Sequence, residues 1–394
     1  MSNPSIAVAR TSSRRVMIAL TSVAVLLYWI SLYLYAPTLP TYVESKVDSL
    51  SAVGIILSMY GLWQAIIRLP LGIVSDWVGR RKPFILVGLA LGGLGAYIMA
   101  VAQGTGGLLA GRAITGLAAG TWVPLVVLFS SLFPAQDAVR ATALLTFIGG
   151  VGRIAATGIT GTLNNWQGYS FAFYLAAAAA LLAVAAMIPA RERTQPPKAP
   201  SLGTLKRLLS RSDVLLPSLI SMIQQYANWA ATFSFIPLLA RQLGATDVSL
   251  SLLLSMNIGV ITAGNLVATA IVRKIGTRRM VYLSAVLLAV GVGGAALATT
   301  LTLIFVMQVA IGLSLGIGYP VLMGLSIRDV EDGQRTTAMG FHQAVYAIGM
   351  FAGPAISGVL ADAWGIRPML LVTAVACLVV SWAASSRLAA AQAR

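Results

Sequence analysis

What most constrains this chain is a series of long apolar stretches, each close to the length of a bilayer-crossing helix and each closed by a short polar turn. A spanning helix needs roughly 20 apolar residues. Twelve stretches meet that requirement, at about 16–36, 50–75, 83–103, 106–132, 138–163, 168–188, 213–240, 248–272, 280–300, 302–326, 335–361 and 368–386. The reading is an all-α membrane protein. Composition agrees, because 58% of the residues are hydrophobic and only 10% are charged, whereas a soluble domain carries about 25% charge. The first stretch is longer than the usual signal-peptide core of roughly 7–15 residues and reads as the first span. A single cysteine, Cys377, excludes an intramolecular disulfide framework and a cysteine-cluster metal site. A single histidine, His342, removes the common zinc-enzyme patterns and argues against Ser-His or His-metal hydrolases. The chain is therefore not expected to be an enzyme, and no cofactor or metal is implied.

The net charge of +16 is read as topology and not as a nucleic-acid surface. With the N-terminus inside, nearly all Lys and Arg fall in loops of the cytoplasmic face. Lys46, Arg241 and Arg367 lie outside, and Arg68, Arg112 and Arg153 lie within spans. The positive-inside rule then puts both termini in the cytoplasm of an inner or plasma membrane protein. The one long polar connector, 191–211, contains Gln195-Pro196-Pro197-Lys198-Ala199-Pro200 and reads as an extended linker. It divides the chain into a six-helix bundle at 1–190 and a second at 212–394.

Internal repeats sharpen this division. Gly72, Asp76 and Gly79 close span two, followed by Arg80-Arg81-Lys82. Gly161, Asn165 and Gly168 close span five, Thr269, Arg273 and Gly276 close span eight, and Gly358, Asp362 and Gly365 close span eleven. The first and second copies are 89 residues apart, as are the third and fourth, and the two pairs are offset by 197. Arg112, Gly116, Gly120 and Pro124 of span four match Gln308, Gly312, Gly316 and Pro320 of span ten. Each half is thus expected to contain two inverted three-helix repeats.

The run Gly72-Ile-Val-Ser-Asp76-Trp-Val-Gly79-Arg80-Arg81-Lys82 resembles the loop motif that the major facilitator superfamily carries between spans two and three. Arg112-Ala-Ile-Thr-Gly116-Leu-Ala-Ala-Gly120 is similar to a second motif of that family, best known in its drug–proton antiporter branch. That branch usually carries a Gly-Pro pair in span five, where this chain has Gly149-Gly150-Val151-Gly152-Arg153. Its nearest Gly-Pro pair, Gly353-Pro354, is in span eleven. The resemblance implies a secondary transporter that alternates access around a site at the bilayer midplane. It also implies efflux of a small organic solute, proton-linked. The three arginines within spans and the lack of a central carboxylate favour the alternative, uptake or exchange of an organic anion.

Candidate residues follow from where polar groups enter the spans. Arginine near the bilayer centre is costly unless paired or hydrated, and no Asp or Glu lies in the middle of a span to neutralise Arg112 or Arg153. Both are read as substrate-binding in a positively charged cavity, while Arg68 is placed close enough to the cytoplasmic face to snorkel. Asn265, Gln308 and Met350 are the repeat equivalents of Arg68, Arg112 and Arg153, so the charge is confined to the N-terminal half. Tyr28, Tyr60, Gln64, Gln225, Asn228, Trp229 and Gln308 are assigned to the cavity lining. Amides that glue helices together are the competing role. Gly72, Asp76, Gly79, Arg80 and Arg81 are assigned to a conformational latch that reaches the other half. His342, the one side chain titrating unperturbed between pH 5 and 8, is the candidate for proton coupling. Gly316, Gly318 and Pro320 are expected to bend span ten, and Trp166 and Tyr169 to sit in the interfacial belt. The expected partners are a small-molecule solute, anionic or amphipathic, and the lipid bilayer. Nucleic acid is not expected, and the chain reads as a monomer.

Overall fold

The computed structural model describes residues 4–134, 137–190, 192, 203, 210–331 and 334–392. Most of the 191–211 linker lies outside the described residues. Regular structure among them is entirely helical. Spans one to three are Pro4–Tyr33, Leu50–Val78 and Lys82–Val101, with a short helix, Leu39–Glu44, between the first two. Spans five and six are Ala138–Gln167 and Tyr169–Met187. Spans eight to twelve are Asp247–Ile275, Thr277–Ala296, Leu301–Ile327, Arg335–Trp364 and Ile366–Gln392.

Local chemistry sets the helix ends. Ser49, Thr246 and Thr300 each accept a hydrogen bond from the backbone N–H three residues on, which satisfies one of the donors a helix start leaves open. The final glycines of the four repeat copies all have positive φ: Gly79 at 68°, Gly168 at 78°, Gly276 at 85° and Gly365 at 89°. A side chain there would be strained, so the repeat seen in the sequence is a repeat of helix-ending geometry.

Two spans depart from single helices. Span four is Thr105–Ala119 followed by Trp122–Ser130, broken at Gly120-Thr121. Span seven is Ser212–Ala230, then a π-helical turn at Ala231–Phe235, then Ile236–Gln242. Pro237 has no N–H to give the carbonyl of Phe233, which loosens that turn. Eleven helical segments are long and apolar enough to cross a membrane, and the interrupted span seven completes the twelve. Span ten runs as one helix through Pro320.

The spans form two groups of six that meet along a seam where spans two and eleven cross, as do spans five and eight. Glycines set the approach. A methyl group added at Gly61 would lie 2.4 Å from the carbonyl carbon of Met350 and from the nitrogen of Phe351. At Gly54 it would lie 2.3 Å from the Pro354 oxygen, and at Gly161 2.3 Å from the Asp247 oxygen. Backbones this close are how helices associate where lipid offers no hydrophobic drive. The outer faces carry exposed apolar side chains such as Leu266, Leu181 and Val375, as a lipid-facing surface requires.

Candidate functional site

At mid-depth the seam holds arginines among aromatic rings. Span two presents Tyr60, Gln64 and Arg68 at four-residue spacing and hence on one face. The Arg112 guanidinium of span four lies over the Tyr60 ring, 4.3 Å from its centroid. Tyr60 stacks on Trp229 of span seven at 5.3 Å, and Trp229 on Phe233 at 4.5 Å. Phe233 belongs to the π turn, so the irregular backbone places a ring in the layer. It meets Tyr33 edge-on at 6.4 Å, and Tyr33 meets Trp29 at 5.6 Å. The Arg153 guanidinium closes the chain 4.6 Å from the Trp29 ring, with its Nε donating to the Gly149 carbonyl at 3.2 Å. None of the ion pairs among the described residues involves Arg68, Arg112 or Arg153. Arg112 and Arg68 are only 6% and 7% exposed, so ring faces and neutral acceptors stand in for both water and a counter-charge. A cation over a ring gains about 0.5–2 kcal/mol, less than the cost of an unpaired charge at depth.

The other polar residues divide between this layer and helix packing. Tyr28 donates to the Ala119 carbonyl at 3.1 Å, at the break in span four. Gln225, which the 197-residue offset makes the repeat equivalent of Tyr28, accepts from Asn228 at 3.5 Å, and the Asn228 side-chain oxygen is buried without a partner. Gln308 is tied to Thr232 and Asn257 at 3.2 and 3.0 Å, which makes it a joint between spans seven, eight and ten. Gln224 donates to Ser284 at 2.9 Å. His342 is fully buried, its ring nitrogens 3.0 and 3.1 Å from the Ser218 and Ser221 hydroxyls. Arg68 does not snorkel. It turns back toward mid-depth, donating to Gln64 and to the Tyr346 hydroxyl. Sequence reasoning passed over Phe233 and Tyr33, and only a deliberate count of aromatic positions facing the seam could have found them.

The loop after span two is tied to its own half. Arg81 pairs with Asp76 at 2.6 Å, and the Arg81 and Lys82 backbone nitrogens donate to the Glu192 carboxylate at 2.7 and 2.9 Å. The left-handed turn at Gly79 directs the chain into this arrangement, and Gly72 packs toward Val123 of span four. Arg80 is exposed. The hydrogen bonds described between the halves lie elsewhere, concentrated toward the end of the bundle opposite the chain termini, here called the distal end. The Asp362 carboxylate of span eleven accepts from the backbone nitrogens of Leu50 and Ser51 at the start of span two, 2.8 Å each. Asp247 of span eight accepts from Asn164 at 3.1 Å and Tyr169 at 3.3 Å, and pairs with Arg241. Tyr169, expected in the belt, is therefore part of this closure, whereas Trp166 is exposed.

Asp362 occupies the repeat position of Asp76, and it caps a helix across the seam. Charge-assisted bonds of this kind are worth about 1.5–3 kcal/mol each. Asp362→Ala is expected to shift the protein toward a distally open state by roughly tenfold or more. The measurement is maleimide labelling of a cysteine placed at Ser51, with Cys377 replaced by serine. Unchanged labelling would show that the cap does not hold the seam.

Twelve spans in two halves around a charged, ring-lined mid-depth layer have the architecture of a multi-pass membrane transporter. The chain belongs to the Major Facilitator Superfamily, a family of membrane transporters and not of enzymes, whose family model matches residues 21–223 and 218–390. Over 336 residues it is 24% identical to the Multidrug resistance protein MdtH of Aeromonas salmonicida (strain A449), covering 82% of this chain and 81% of that one. It is 33% identical over 117 residues to the Inner membrane transport protein YajR of Escherichia coli (strain K12), which is 29% of this chain and only 25% of that relative's length. Over 166 residues it is 28% identical to the Tetracycline resistance protein, class H, of Pasteurella multocida, 41% of each chain. A bacterial homolog of the human lysosomal transporter Spinster, in an inward-facing and unoccupied conformation, shares the fold at a TM-score of 0.81 and 16% identity, over 95% of this chain and 97% of that one. The nucleoside transporter NupG does so at 0.76 and 16%, over 94% and 98%.

Proposed function

We propose that this transporter exports amphipathic organic solutes bearing an anionic group, by alternating access between its halves. The observation that carries the reading is the set of buried guanidiniums packed on aromatic rings without a carboxylate partner. An anion completes the charge, and the rings grip the apolar part of the same molecule. Efflux is supported by the relatives named for multidrug and tetracycline resistance. On this reading residues 1–190 and 212–394 are the two rocking bundles, joined by the 191–211 linker. The excess of basic loop residues supports a cytoplasmic location for both termini, which makes the distal end extracellular. Arg112, Arg153, Tyr60, Trp229 and Phe233 make up the binding layer, with Gln64 and Asn228 as polar contacts. Gly72, Asp76, Gly79, Arg80 and Arg81 would engage the other half only after the distal end opens. His342 has the environment of a packing histidine, and the mechanism uses no proton step there.

The test compares carboxyfluorescein with ethidium in everted membrane vesicles. Energised vesicles carrying the protein are expected to accumulate carboxyfluorescein and to leave ethidium at the background of empty vesicles. Ethidium uptake driven by a pH gradient, together with absent carboxyfluorescein uptake, would sink the anionic reading.

A further inference from the structure

Of the three arginines inside spans, Arg68 alone makes a hydrogen bond to the other half among the described residues. It sits 18 residues into span two, about 27 Å along the helix at 1.5 Å per residue. The other hydrogen bonds between the halves, at Leu50, Ser51, Thr157, Gly161, Asn164 and Tyr169, lie nearer the distal end. The Arg68–Tyr346 bond is thus the innermost hydrogen bond of the closed seam among the described residues. Arg68 is 7% exposed and Gln64 1%. Each still has a buried nitrogen with no partner, Nε of Arg68 and Nε2 of Gln64. A guanidinium offers five donors in a plane, and here the partners of Arg68 are a neutral amide oxygen and a phenol.

We propose that Arg68, with Gln64, is a binding site for the anionic group of the solute, and that the solute takes Arg68 from Tyr346 and so releases the innermost tie between the halves. The inference rests on the anionic-solute reading above and adds to it the residue that converts binding into movement. A carboxylate or sulfonate accepts from a guanidinium more strongly than a phenol does, and can do so with two oxygens at once. The free nitrogens on Arg68 and Gln64 give the second oxygen donors that Tyr346 does not use. Tyr346 gives up its hydroxyl bond and the guanidinium 5.3 Å from its ring centroid, and keeps the ring's edge contacts with Tyr319 at 5.9 Å and His342 at 6.0 Å. Of the hydrogen bonds described between spans two and eleven, only those of Asp362 with Leu50 and Ser51 at the distal end then remain. A ligand shifts a two-state equilibrium only through contacts that differ between the states, and replacing this cross-half bond by a bond to solute is such a difference.

The experiment measures binding of 2-naphthoate, with 2-naphthamide as the uncharged control, to the purified protein and to two variants. Arg68→Gln is expected to weaken 2-naphthoate at least tenfold and to leave 2-naphthamide unchanged. Tyr346→Phe is expected to bind 2-naphthoate several-fold tighter, because the hydroxyl no longer competes for Arg68. A gain in affinity cannot arise from misfolding, so this arm stands even if Arg68→Gln is unstable. If the wild type binds 2-naphthoate but Tyr346→Phe binds it no tighter, the competition is wrong and the anionic-solute reading survives. If neither wild type nor Tyr346→Phe prefers 2-naphthoate to 2-naphthamide, both ideas fall.

Discussion

Gly61→Val is expected to abolish transport and to hold the protein open at its distal end. Gly61 lies where span two crosses span eleven, and a Cβ there would meet the backbone of Met350 and Phe351 at 2.4 Å. The neighbour is main chain, so no side chain can swing aside, and the helices must part along their length. Overpacking of this kind costs about 3 kcal/mol, close to a hundredfold change in the ratio of closed to open seam. The closed distal end is one of the two states that alternating access requires, so turnover stops even though each half stays folded. Labelling at a cysteine replacing Ser51 should rise to the level of a fully open protein. Gly106→Ala is the control, since its Cβ has nothing within 4 Å. Transport by Gly61→Val above a tenth of wild type would show that the crossing does not need to close this tightly.

Arg112→Ala is expected to reduce transport of an anionic solute by at least tenfold, and Arg112→Lys should not restore it. The guanidinium carbon lies over the Tyr60 ring, 4.3 Å from its centroid, and Arg112 is 6% exposed. Its planar, weakly hydrated charge suits that position, whereas a compact ammonium would draw water into the layer. Removing a partner from a buried charged contact costs about 2–5 kcal/mol, which sets the tenfold as a lower limit. Tyr60→Leu should show a smaller loss of the same kind, because Arg112 and Trp229 would lose the ring between them. The readout is the initial rate of carboxyfluorescein uptake at saturating and subsaturating concentration. A fall confined to the saturating rate would point to a conformational role for Arg112.

Much of the fold was legible in the sequence because the membrane restricts the choices. A stretch of apolar residues long enough to cross hydrocarbon has to be helical, and the spacing of Gly72, Asp76 and Gly79 repeats as helix ends that only glycine tolerates. The breaks in spans four and seven were less legible. Gly120 and Pro237 signal them, but glycine and proline are common in spans and do not show which of them interrupts a helix. Pro320 illustrates the point, since the helix continues through it.

The site divided along the same line. Sequence alone placed arginines inside spans without neutralising acids, because charge at depth is costly and hence rare enough to notice. It also placed Tyr60, Gln64 and Arg68 on one face, because four-residue spacing fixes direction on a helix. Only the packing of the two halves decided what each face meets. It gave Arg68 to Tyr346, set Arg112 on Tyr60, tied Gln308 into a joint between helices, and made Asp362, unlike its repeat equivalent Asp76, a carboxylate that bridges the seam. Helix periodicity carries no record of which helix lies opposite, nor of which end of the seam is closed. Those follow from contacts between residues far apart in the chain, such as Asp362 with Leu50 and Ser51.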